Sequence, residues 1–182
     1  MTRFILKLVP EREQWLGEIA AQIPQLEIVR DQTRNAMDTF MLALLTAGDD
    51  AAVHLEDDIE LTGDFLAKIE PEIAQRPDRV IQFFSLRKND AELGSREMPA
   101  RSYLMNQCVY LPAGYAGELF AYQPGWMRTH NDPNGCDLVV AHWLVERRER
   151  YWLHVPSLVQ HRIARSVIDR RRSSKRQSPS FR

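Results

Sequence analysis

The chain has 182 residues, 44% hydrophobic and 27% charged, with a formal net charge of −1. That size suits one domain with its own core, and that balance excludes a disordered or membrane-embedded chain. The near-zero charge hides an asymmetry: residues 161–182 hold seven Arg and one Lys against one Asp, a surplus of seven positive charges that leaves the rest at −8. Cys108 and Cys136 have no CxxC or Cys/His spacing, which points away from a zinc site and toward a reducing compartment. No apolar run approaches transmembrane length, and the start of the chain is too soon charged for a signal peptide. No membrane span and a cytoplasmic location are therefore expected.

In chain order, residues 4–9 form a compact apolar run that suits a buried first strand, halted by Pro10. Residues 11–23 place Trp15, Leu16, Ile19 and Ile23 on one helical face. A short strand over 26–29 follows, then a helix over 33–47 closed by Gly48, then a third strand over 51–55. This alternation predicts an α/β fold with a mainly parallel sheet and crossover helices. Further on, the pattern predicts a helix over 65–74, a strand over 80–84 and a long polar loop over 85–106. Loops of that length in compact domains are usually functional or disordered. A strand over 108–111, a short helix over 115–122 and a turn-rich connector over 123–135 come next. Asp137 opens a helix through Val145, and residues 151–155 form a last strand.

The stretch that stands out is Glu56-Asp57-Asp58, three carboxylates at the end of the third strand. Side by side they are expected to repel one another, unless they face water or hold a cation. Hard divalent cations such as Mg²⁺ and Mn²⁺ take one or two carboxylates together with substrate phosphates. In open α/β sheets, moreover, ligands bind beyond the carboxyl ends of the strands. A solvated acidic turn, with Asp58 or Thr62 capping the next helix, is the plain alternative.

This strand end, followed by Leu61-Thr62-Gly63-Asp64-Phe65, resembles the acidic motif of small glycosyltransferases of the GT-A fold. It is most similar to the lipopolysaccharide-type branch, whose motif is often Glu-Asp-Asp, and to compact phage-encoded glycosyltransferases. Residues 8–12 resemble the first strand and the Arg that approach the nucleotide. Residues 136–144 resemble the acid-led helix facing the acceptor, and 155–161 the segment that returns a histidine to the metal. The resemblance implies a single GT-A-like (Rossmann-like) domain over 1–160 and a basic segment over 161–182 that covers the donor. It implies a transferase that moves a sugar from a nucleotide-sugar, with UDP the expected nucleotide, to a hydroxyl acceptor. That acceptor is a glycan or a hydroxymethylated DNA base, the latter placing the enzyme in the host cytoplasm of a phage.

Residue by residue, the resemblance makes Glu56, Asp58 and His161 the expected ligands of Mn²⁺ or Mg²⁺. Pro10, Arg12, Asp31, Arg34, Asp57, Arg165 and Ser166 are the expected nucleotide-sugar contacts, and Asp137 the expected base. Chemistry supports the same roles independently. A departing diphosphate needs its charge stabilised, and an attacking hydroxyl needs a carboxylate within reach in an inverting reaction. His161 could equally be a surface residue opening the tail, and Asp137 simply a helix cap. The tail offers its own rival, a nucleic-acid arm that grips phosphates electrostatically in a protein without catalysis. We expect residues 161–176 to work at the site and the last few to fray.

Overall fold

The structure is a computed structural model that describes residues 2–164, 167 and 176–182. The first half alternates as expected: β1 Arg3–Leu8, α1 Leu16–Gln22, β2 Leu26–Arg30, α2 Ala36–Ala47 and β3 Ala52–Glu56. A short strand β4, Ile59–Leu61, then precedes α3 Phe65–Gln75, β5 Ile81–Gln82, α4 Asp90–Leu93 and β6 Arg96–Pro99. The chain closes with β7 Cys108–Leu111, α5 Tyr115–His130, α6 Cys136–Glu146, β8 Arg150–Leu153 and β9 Val159–His161. Seven strands make one sheet in the order β2-β1-β3-β7-β5-β8-β6, and β4 pairs with β9 in a separate two-stranded ribbon. β7 and β6 run against their neighbours; the remaining sheet strands share one direction. The fold is α/β, a mostly parallel mixed sheet flanked by helices, as a single Rossmann-like domain requires.

The strands alternate between two cores, because successive strand side chains leave opposite faces. Phe4, Leu6, Val53, Leu55, Cys108 and Tyr110 pack with Ile19, Phe65 and Ile69 of α1 and α3. Ile5, Ala52, Val109 and Leu111 pack on the other side with Phe40, Val140 and Trp143 of α2 and α6. No helix among the described residues is long and apolar enough to cross a membrane.

Four expectations need correction. The 85–106 stretch is not one loop, since it holds α4 and β6, with β6 pairing β8 from Arg96↔Leu153 to Pro99↔Arg150. Its half-exposed, Pro-ended edge strand carries no apolar alternation to find. α5 runs straight through Pro124 and Gly125 to His130, where a connector was expected. Trp126 beyond the proline is buried in the core, and that packing outweighs the local breaker. α2 begins at Ala36, not Thr33, because the Asn35 side chain caps it by accepting from the Met37 and Asp38 amides.

The C-terminus does not fray. The Ser178 amide donates to Gln160 Oε1 at 2.7 Å, and Ser178 and Ser180, both buried, bond to Ser157. Thr62 donates to the Arg182 carbonyl at 2.9 Å, so Thr62 ties down the tail rather than capping α3.

His54 sits wholly buried in β3 against Phe40, and burial, with the Lys7 charge adding to it, pushes its pKa down to about 3. Unfolded, it titrates near its ordinary value, so between about pH 6.5 and 3 the unfolded chain takes a proton that the fold refuses. Stability therefore falls with acid across that window, by up to about 1.4 kcal/mol per pH unit. Urea melts between pH 6.5 and 4.5 should show this slope, and His54→Leu should flatten it.

Candidate functional site

The site forms where β1, β2 and β3 end. The acidic triplet does not repel itself apart, because Lys7 pairs with Glu56 and Arg12 lies between Asp57 and Asp58. Lys7, buried within the apolar run of β1, donates to Glu56 Oε1 at 2.7 Å. Arg12 follows β1 on a 3-10 turn, Pro10–Trp15, and its Nη1 lies 2.6 Å from Asp57 and 3.0 Å from Asp58. Asp57 also accepts from the Val9 amide at 2.6 Å, which locks the end of β1 to the end of β3. Burial pushes the Asp57 carboxyl up to about 6 against the pull of Arg12.

His161 arrives from the far end of the chain. The β4–β9 ribbon pairs Ile59 with His161, which sets the imidazole beside the residue preceding Ile59. His161 Nε2 lies 3.2 Å from Asp58 Oδ2, and both side chains are buried. Burial works to raise the Asp58 pKa, yet the hydrogen bond from His161 and the charge of Arg12 carry it below the usual value. Arg162 fixes this corner, its amide donating to the Asp58 carbonyl at 2.7 Å and its guanidinium resting on Trp15.

The first turn of α6 also borders the site. Asp137 does not cap this helix; Gly135 occupies the cap position. Its carboxylate instead accepts from the Met105 amide at 3.2 Å and the Leu138 amide at 3.1 Å. The cleft, about 100 Å³, is lined by Arg12, Glu56, Asp58, Asn134 and Asp137. Val167 and Arg176 of the tail line it as well, and Arg176 Nη2 reaches 2.9 Å from His161 Nε2.

The structure thus brings Arg12, Glu56, Asp57, Asp58, His161 and Asp137 together. Asp31 is buried at the end of β2 beside Arg12 and Asp57, where it accepts from the Thr33 and Arg34 amides. Pro10 is exposed, and Arg34 points to Glu11 on the surface, away from the residues that line the cleft. Arg165 and Ser166 lie outside the described residues. Among the described residues, no group of three or more His, Cys, Asp or Glu side chains is arranged to hold a metal ion. Asp58 and His161 converge, while Glu56 is engaged by Lys7. Sequence reasoning missed Lys7, Asn106, Gln107 and Asn134. A lone lysine inside an apolar strand was the available signal for Lys7, and the polar amides gave none.

No family model matches the chain, and no curated protein matches it. Solved structures do. The fold is shared with A197 from STIV. That likeness has a TM-score of 0.57 at 12% identity and covers 90% of this chain and 86% of that one. A protein described as a glucose-1-phosphate thymidylyltransferase from Bacillus anthracis, solved with sucrose, is similar at TM-score 0.44 and 9% identity, over 88% of this chain and 89% of that one.

Proposed function

We propose that the chain is a divalent-cation-dependent glycosyltransferase using a nucleotide-sugar, with UDP as the nucleotide, and a hydroxyl acceptor on a glycan or modified DNA base. One observation carries the reading. Two distant segments are folded so that Asp58 and His161 meet 3.2 Å apart at a strand-end cleft that a further carboxylate, Asp137, also lines.

A cation fits the donors present. Asp58 Oδ2 and His161 Nε2 are close enough to share a single ion once Arg12 and Arg176, which now face these two atoms, give way, and carboxylate oxygen is a donor that Mn²⁺ takes. Asp58 and His161 would hold it, with Glu56 available through water, and it would supply positive charge to the leaving diphosphate. The chain's own residues do the rest. Arg12 balances the clustered carboxylates and fixes their orientation. Asp137 accepts the acceptor's proton as its oxygen bonds to the anomeric carbon and the bond to the diphosphate breaks.

Arg176 and Val167 belong to the same mechanism. Pockets for small ligands span several hundred Å³, and this cleft of about 100 Å³ is narrowed by the tail that lines it. A nucleotide-sugar therefore needs the Arg176 side chain to move aside, and its guanidinium can then close on the diphosphate. Arg176→Ala should weaken UDP binding about tenfold or more, and UDP with Mn²⁺ should slow tryptic cleavage within residues 162–176. Equal cleavage with and without both ligands, in protein that binds them, would remove the lid and favour the nucleic-acid arm.

Thermal shift with each common nucleoside diphosphate, with and without Mn²⁺, tests the whole reading. A ligand that binds only the folded state raises its melting temperature. UDP with Mn²⁺ should give a clear shift that EDTA abolishes. No shift from any nucleotide in either condition would overturn the reading.

A further inference from the structure

Two buried amides in the cleft have unused hydrogen-bonding groups. Asn106 and Gln107 line it, each 5% exposed, and both sit just before β7. Because β7 runs against its neighbours, the residues before it, rather than after it, emerge at the site end of the sheet. Asn106 Oδ1 accepts from the Tyr103 hydroxyl at 2.6 Å, which fixes the amide with its nitrogen outward from that bond. Among the described residues, Asn106 Nδ2 and Gln107 Oε1 have no hydrogen-bond partner. Leaving a buried polar group unpaired is costly, and these two belong to residues that line the cleft, where a ligand can satisfy them.

The turn that presents them is strained and clamped. Met105 has φ 77, a left-handed conformation that a bulky side chain rarely adopts. Gln82 Nε2 holds the Met105 carbonyl at 2.7 Å, and Asp137 holds the Met105 amide. On the other side the Glu56 amide donates to the Gln107 carbonyl at 3.1 Å. The turn is thus bonded at one end to the candidate base and at the other to the acidic triplet.

We propose that Asn106 and Gln107 read the hydroxyls of the transferred sugar, Asn106 Nδ2 as donor and Gln107 Oε1 as acceptor. The inference rests on the nucleotide-sugar reading of the cleft and names the part of the donor that these residues recognise. A hydroxyl both donates and accepts, so a cleft offering an unpartnered donor and an unpartnered acceptor suits sugar hydroxyls better than a diphosphate, which only accepts. Sites built on such groups discriminate strongly, since a wrong epimer leaves a buried partner unpaired.

The test compares UDP with UDP-glucose, UDP-galactose and UDP-N-acetylglucosamine by calorimetry in Mn²⁺, for wild type, Asn106→Asp and Gln107→Met. Gln107→Met adds no charge and keeps the volume, so it carries the test if Asn106→Asp does not fold. Wild type should prefer one UDP-sugar over UDP. The variants should lose that preference by about tenfold or more, with UDP affinity unchanged. Equal weakening of UDP and UDP-sugar, no change in either, or a wild type that binds every UDP-sugar no better than UDP, overturns the proposal. Wild type that binds no nucleotide at all overturns the parent reading, a result distinguishable because it precedes any variant.

Discussion

Asp58→Asn is expected to abolish Mn²⁺-dependent UDP binding while the chain still folds. The carboxylate is the shared partner of Arg12 and His161, and an amide offers a cation no charge. Removing one member of a buried pair costs about 3–5 kcal/mol when the other charge is left alone. Here Asp57 stays 2.6 Å from Arg12, so the loss should be nearer 2 kcal/mol, that of a charge-assisted hydrogen bond. Calorimetry with UDP and Mn²⁺, beside a urea melt, separates the two effects. The loss of stability should also fade in acid. The Asp58 pKa is lowered in the fold, so its contribution is present above its ordinary value and disappears as pH falls through the folded one. Full cation-dependent UDP binding by a folded Asp58→Asn protein would make the aspartate purely structural.

Asp137→Asn should lower transfer by about a hundredfold to ten-thousandfold, the usual worth of a positioned base, and leave UDP affinity alone. The amide oxygen can still accept one of the two backbone hydrogen bonds that Asp137 receives, so the α6 turn and the Met105 turn keep an anchor. Single-turnover transfer beside UDP calorimetry measures both. Unchanged transfer would reduce Asp137 to the support of the Met105 turn.

Much of this was legible in the sequence because the informative patterns were local. Apolar periodicity located β1, β2, β3 and β7 together with α1, α2 and α3, since each buries a regular face. The triplet at the end of β3 marked the site, as three acids do not end a buried strand without partners. Those partners were harder to find. Arg12 lies 45 positions from Asp57, and His161 over 100 from Asp58, distances that only the sheet and the β4–β9 ribbon close. Three-residue strands carry too little periodicity to be seen, so the ribbon itself went unread. Asn106 and Gln107 were hidden for a related reason. A polar pair before a strand looks like solvated loop until an antiparallel strand turns it into the cleft.

The most direct measurement is the anomalous signal of Mn²⁺ in crystals grown with UDP. The account predicts one strong peak within ligand distance of both Asp58 Oδ2 and His161 Nε2, with the diphosphate beside it in the cleft that Asp137 also lines. A Mn²⁺ peak elsewhere, or UDP bound away from these residues, would contradict it.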